Sequence, residues 1–227
     1  MIISHKHRFI FIKTRKTAGT SIEMALSQFC GDDDVLTPFD DGDEAVRREL
    51  GYRGAQNYEI SAGEKSKVDW NGFAFRPHHF NHESAFILCQ RIDPEIWQNY
   101  YKFSVERNPW DRAISLYYFR LAKQKGKLTL GEFIRTAKAK LLSNFRLYAI
   151  DGSLAVEHVM LYENLATEVA QMGERLRLPH KLELPAQRTK SQFRADKRHY
   201  RELLDTEERE IIGKICEKEI DLFGYTF

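Results

Sequence analysis

The sequence predicts an α/β sandwich whose helices flank a central, mainly parallel sheet. Three β-prone runs, at 8–12, 100–105 and 156–162, alternate with segments of helical periodicity. Alternation of this kind builds parallel sheets from strand–helix units. The first two runs also end in turns that open a helix directly. A chain of 227 residues suits one domain, spanning 1–227.

Taken in order, residues 8–12 read Arg-Phe-Ile-Phe-Ile, a continuous apolar run expected of a strand covered on both faces. A polar loop follows at 13–20, and a helix is predicted over 21–29 with Ile22, Ala25, Leu26 and Phe29 on one side. Segment 31–76 clusters acids at 32–34 and 40–44. It reads as a loop-rich, solvated acidic insertion with a short helix near 45–50. Another helix is predicted over 84–91. After the second strand, Asn108 is a good N-cap, Pro109 suits the first helical position, and Asp111 complements the positive helix start of a helix over 110–122. Helices at 130–139 and 165–176 bracket the third strand. A basic loop, 188–201, precedes a last helix over 206–222.

Composition excludes several classes of protein. Lys and Arg number 35 against 33 Asp and Glu, a formal charge of +2, so bulk charge does not make this a nucleic-acid binder. With 42% hydrophobic residues the chain can bury a core, which excludes disorder of the whole. No window approaches the roughly 18 apolar residues of a membrane span, and the start lacks the features of a signal peptide. Cys30, Cys89 and Cys216 are odd in number and far apart, as free thiols in a reducing compartment would be. A cytoplasmic, bacterial protein is expected.

Two loops carry candidate chemistry. In the first, Lys13, Arg15 and Lys16 flank the small residues Thr17, Ala18, Gly19, Thr20 and Ser21. Small residues let successive N–H groups converge on an anion at the positive start of the next helix, and the three hydroxyls add donors. The loop departs from G-x-x-x-x-G-K-[ST] because Gly19 is followed by Thr-Ser. An ordinary βα turn with exposed basic residues would read the same way. In the second, Arg107 ends the strand over 100–105 and Ser115 lies two turns into the next helix. The carboxyl ends of parallel strands are where open α/β sheets bind ligands, and a guanidinium there suits a two-pronged grip on phosphate. Taken alone, each residue fits a structural role better, a capped helix with a surface arginine.

Together the loops resemble the sulfotransferase family. Lys16-Thr17-Ala18-Gly19-Thr20-Ser21 is similar to its 5′-phosphosulfate loop, and Val105-Glu106-Arg107-Asn108-Pro109 with the downstream Ser115 is similar to its 3′-phosphate motif. His82-Glu83-Ser84-Ala85, Tyr162-Glu163-Asn164-Leu165 and the ending over 222–227 resemble the carbohydrate-type branch. Glu106 departs from the pattern, where a small or apolar residue is commoner.

The resemblance implies a P-loop-like three-layer fold and the donor 3′-phosphoadenosine 5′-phosphosulfate (PAPS), with 3′-phosphoadenosine 5′-phosphate (PAP) as product. The acceptor would be a hydroxyl on a small molecule or glycan. By the same resemblance, Lys16 would contact the bridging oxygen and residues 17–21 would cradle the 5′-phosphosulfate beside Arg15. Arg107 and Ser115 would hold the 3′-phosphate. A histidine suits the base that deprotonates the acceptor. His82 matches the family element, His79 is second, and His78 competes. Within the basic loop, Arg188, Lys190 and Arg194 are further candidates for the nucleotide. No metal is expected, because fixed cations would take the place of Mg²⁺, and the histidines with Cys89 lack standard zinc-ligand spacing. Two other readings use the same loop: an ATP-dependent small-molecule kinase, and an anion-binding module without chemistry.

Overall fold

The structure, a computed structural model, describes residues 1–59, 78–123, 128–185 and 194–227. In chain order the elements are β1 (Ile2–Ser4), β2 (Phe9–Phe11), α1 (Gly19–Ser27), β3 (Val35–Leu36), α2 (Asp41–Glu49), α3 (Ala85–Arg91), α4 (Pro94–Asn99) and β4 (Tyr101–Glu106). There follow α5 (Pro109–Lys123), α6 (Leu130–Thr136), α7 (Ala139–Leu142), α8 (Phe145–Tyr148), β5 (Ala149–Ile150), β6 (Ser153–Leu154) and β7 (His158–Leu161). The chain closes with α9 (Leu165–Arg175), α10 (Tyr200–Leu203), α11 (Thr206–Ile215) and α12 (Glu217–Phe223).

The central sheet has the order β3-β1-β2-β4-β7. Its site-bearing half is parallel, with Phe11 opposite Phe103 and Val105 opposite Met160. β1 and β3 extend it antiparallel, so the sheet is mixed. Two-residue alternation splits the strands between two cores. Ile2, Phe9, Phe11, Phe103 and Val105 face α1 and α9, meeting Ile22, Leu26, Val169 and Met172. Ile3, Ile10 and Ile12 face the other way, toward Leu88 of α3 and Tyr148 of α8. Both sides of β2 are therefore covered, which is why its run is apolar without a break. A third cluster joins Trp110, Ile114, Phe133, Tyr200 and Ile212 beside the sheet.

Several expectations shift. The helix read over 21–29 begins at Gly19, two residues earlier. The helix read near 45–50 begins at Asp41, with Asp40 as N-cap accepting from the Asp43 N–H; the acids taken for loop are favourable at a helix start. The insertion is also less solvated than expected. Asp34 is buried and accepts from the Ser4 hydroxyl and the N–H groups of His5, Lys6 and Gly31, and Arg47 is fully buried on Glu44.

The helix read over 130–139 stops at Thr136 because Ala137 is extended. The last helix, read over 206–222, is two, broken at Cys216 (φ −107°, ψ 22°). That break turns Glu219 inward onto Arg112. β1 and α4 lay outside the sequence reading, as did the β5–β6 hairpin, whose turn carries Asp151 and Gly152 at φ 49° and 82°.

Candidate functional site

The first loop is bent by two non-glycine residues in the left-handed region, Lys16 (φ 61°) and Ala18 (φ 60°). Such residues cost about 1–2 kcal/mol each and persist only where the surroundings impose them. Here the Thr14 hydroxyl reaches the Val105 carbonyl at the end of β4 and meets the Thr17 hydroxyl at 2.8 Å. Asn144 clasps the Arg15 main chain, its Oδ1 accepting from the N–H at 3.1 Å and its Nδ2 donating to the C=O at 3.0 Å. Gly19 is required by close approach: a Cβ there would lie 2.8 Å from Lys13 Cγ. The result is a loop wrapped around the start of α1, where N–H groups and the helix dipole favour an anion.

The second segment starts where β4 ends. Asn108 Oδ1 accepts from the N–H groups of Trp110 and Asp111 at 3.1 and 3.3 Å, the N-cap expected from sequence. Arg107 donates through Nε to Asp111 at 2.8 Å and through Nη1 to the Lys16 carbonyl at 3.1 Å, so it touches the first loop. Its guanidinium lies 4.1 Å from the centroid of the Tyr162 ring. Asp111 also receives Arg194 Nη1 at 2.6 Å. Burial alone would raise the Asp111 carboxyl, but the Arg107 and Arg194 guanidiniums outweigh it and hold it below its ordinary value. Glu106 is fully buried, accepting from the Arg107 N–H at 2.8 Å and the Tyr148 hydroxyl at 2.9 Å while pairing with Arg112. It departs from the family pattern because it has a buried arginine to neutralise.

Between the two segments lies a cleft of about 340 Å³ lined by Lys13, Arg15, Lys16, residues 17–20, His82, Arg107, Ser115, Phe119, Arg120 and Tyr162, among others. Five of the lining side chains are cationic and none is a carboxylate, the donor set of a polyanion site. The Lys16 ammonium sits 4.3 Å from the centroid of the Phe119 ring. Burial, with Arg146 and Arg112 nearby, lowers Arg15 to about 10, still charged at neutral pH. Lys13 is turned into the core, where it meets Glu23 at 2.9 Å and Asn81 at 3.1 Å.

His82 lines the cleft, held at φ 61° with Nδ1 3.1 Å from the Lys13 carbonyl. A carbonyl can only accept, so Nδ1 carries the proton and Nε2 keeps a lone pair. Burial first, then the charges of Lys13 and Arg15, lower its pKa to about 3. The ring is therefore neutral at physiological pH.

The cleft thus gathers Arg15, Lys16, Thr17, Ala18, Gly19, Thr20, His82, Arg107 and Ser115. Ser21 is buried in α1 and is not among the lining residues. His79 also lies apart from it, its Nδ1 2.8 Å from Glu83, which Arg91 meets at 2.6 Å. His78 packs edge-on to Tyr58. Among the described residues Arg194 meets the site through Asp111, and Arg188 and Lys190 lie outside the described residues. Sequence reasoning missed Tyr162, Phe119, Arg120 and Asn144. Only Tyr162 carried a signal, being the first residue of the Tyr162–Leu165 motif. Glu163 of that motif accepts from the Asn108 N–H at 2.7 Å and from the Tyr225 hydroxyl at 3.2 Å, so three of the quoted motifs meet behind Arg107.

A model of the sulfotransferase family matches residues 1–226. An uncharacterized protein from Archaeoglobus fulgidus is 26% identical over 104 residues, covering 44% of this chain and 87% of that protein. No solved structure matches the chain significantly. No helix among the described residues is long and apolar enough to cross a membrane.

Proposed function

The chain belongs to the sulfotransferase family, and from that premise we propose that it transfers a sulfuryl group from PAPS to a hydroxyl, on a carbohydrate or similar acceptor. The observation that carries this reading is the convergence of Lys16, the 17–20 loop, His82, Arg107 and Ser115 on one cleft lined by cations and hydroxyls without a carboxylate. That lining fits a ligand with a phosphosulfate at one end and a phosphate at the other. The sugar acceptor rests on His82-Glu83-Ser84-Ala85 and its likeness to the carbohydrate-type branch.

PAPS, when bound, supplies the sulfuryl group. The residues divide the work around it. Arg107 and Ser115 hold the 3′-phosphate, the guanidinium supported beneath by Tyr162 and aimed by Asp111. The N–H groups and hydroxyls of 17–20 orient the 5′ end. His82 Nε2 accepts the proton of the acceptor hydroxyl as the new S–O bond forms. Lys16 would stabilise the charge that develops on the 5′-phosphate oxygen as it takes the electron pair of the breaking S–O bond, as fixed cations do in phosphoryl transfer.

For ATP with Mg²⁺ as ligand, a metal-holding carboxylate would be wanted; no carboxylate is among the described lining residues, and Asp111, the acid paired with Arg107, is committed to two arginines. The test is to incubate the protein with PAPS and a panel of hydroxyl acceptors, reading PAP release by chromatography. Acceptor-dependent release that vanishes on replacement of Lys16 supports the proposal. Release from no acceptor, with phosphate transfer from ATP instead, overturns it.

A further inference from the structure

The two phosphate-binding segments come from distant parts of the chain, and a buried polar strut joins them. Asn144 is 1% exposed and spends its whole side-chain amide on the main chain of Arg15. Its own N–H donates to Glu219 Oε1 at 2.9 Å, and the Phe145 N–H donates to the same oxygen at 3.2 Å. Glu219 also receives Arg112 Nη2 at 3.2 Å, and Arg112 donates to the Leu142 carbonyl at 2.7 Å. The other end of Arg112 pairs with Glu106, which holds the Arg107 N–H. The links run unbroken from Arg15 through Asn144, Glu219, Arg112 and Glu106 to Arg107, all within side chains 3% exposed or less apart from the two ends.

A direct contact, Arg107 Nη1 to the Lys16 carbonyl, joins the segments on the cleft side. The strut joins them from behind, so their separation is set from two directions. Buried polar chains rigidify what they connect as far as their members are satisfied; here the two Arg112 Nη atoms are bonded and its Nε is left without a partner. The single Arg107 contact alone would leave the loop free to shift, and two left-handed residues in that loop give it reason to.

We propose that Asn144 is a positioning residue which, braced by Glu219 and Arg112, fixes the 5′ loop at a set distance from Arg107. The site then recognises a nucleotide by the span between its 5′ and 3′ phosphates. This rests on the sulfotransferase reading of the cleft. Asn144 touches only the loop side of the site, so its loss is felt by ligands that carry a 5′-phosphate and not by one that carries only the 3′-phosphate.

The experiment compares wild type with Asn144→Ala and Asn144→Ser by calorimetric titration with PAP, adenosine 5′-phosphate and adenosine 3′-phosphate, alongside thermal melting. The Ser variant keeps a small polar group and serves if the Ala variant does not fold. The expected result is affinity for PAP about tenfold weaker, the scale of two lost hydrogen bonds, with adenosine 5′-phosphate, which does not read the span, weakened less and adenosine 3′-phosphate unchanged. Equal weakening of PAP and adenosine 5′-phosphate assigns Asn144 to the loop alone and overturns the span. Equal weakening of all three ligands assigns Asn144 a general structural role and overturns the proposal, as does unchanged affinity for all three. A wild-type protein that binds none of them defeats the reading of the cleft itself, and this inference falls with it.

Discussion

His82 Nδ1 lies 3.1 Å from the main-chain oxygen of Lys13, so one residue both fixes the histidine tautomer and lowers its basicity. The carbonyl holds the proton on Nδ1, and the Lys13 ammonium, after burial itself, contributes to the depressed pKa. In His82→Asn the amide can keep the bond to the carbonyl while Nε2 is lost. That variant is expected to turn over at least a hundredfold more slowly, the usual contribution of a general base, with PAP affinity within about twofold of wild type. Full turnover would remove His82 from the proton transfer.

The pH profile follows from the same ring. With a free-enzyme pKa of about 3, kcat/KM for the donor should show no acid limb near the ordinary 6.5. At saturating donor, anionic groups beside Lys13 and Arg15 offset their charge, so any limb in kcat moves upward. For stability, the unfolded chain protonates His82 below about 6.5 while the folded one does so only near 3. The unfolded state binds more protons in that window, so this group's contribution to stability falls as pH drops from 6.5 toward 3. Stopped-rate assays and melting curves across pH 4–8 check both.

Lys16 and Arg107 should separate kinetically. Lys16→Ala is expected to lower kcat by about a hundredfold or more, because its charge matters most at the leaving oxygen. Arg107→Ala is expected to weaken PAP roughly a hundredfold by losing a charge-assisted grip, and to weaken adenosine 5′-phosphate far less, through the lost contact to the Lys16 carbonyl. The reverse pattern would exchange their roles.

Behind the loop, Glu23 is fully buried between the Met1 ammonium at 2.7 Å and Lys13 at 2.9 Å. Burial would raise its carboxyl, but Lys13 first and the Met1 amine second bring it to about 2. Burial also lowers the Met1 amine to about 5, so Lys13 is the cation that counts near neutral pH. Glu23→Gln leaves Lys13 charged and uncompensated, and is expected to cost about 3–5 kcal/mol in denaturant unfolding. A loss under about 1 kcal/mol would mean that Lys13 relaxes out of the core.

Gly19→Ala tests the loop's packing. Its Cβ meets Lys13 Cγ, a buried stem and not a mobile tip. The expected cost is about 1–3 kcal/mol, with PAP affinity reduced because Lys13 or the loop must move.

How much of this was legible in the sequence depended on whether the signal was local. The apolar run at 9–12 and the Asn108-Pro109 helix start declare themselves through neighbouring residues. The antiparallel β1 does not, since three residues carry no periodicity. The break at Cys216 depends on Arg112, some hundred residues away, and helical propensity ran straight through it. At the site, the loop residues and Arg107 stood in recognisable order, whereas Asn144 acts through a fold contact that no spacing encodes. Among three histidines within five positions, only the resemblance of His82-Glu83-Ser84-Ala85 to the family element ranked one first. Packing adds the physical reason: His79 is held against Glu83, whereas His82 lines the cleft.

The most direct measurement is calorimetric titration of the protein with PAP in the absence of divalent metal, set beside ATP with Mg²⁺. Tight binding of PAP without metal, weakened roughly a hundredfold by Arg107→Ala, is the result expected of a PAPS site. Binding of ATP with Mg²⁺ and not of PAP would contradict it.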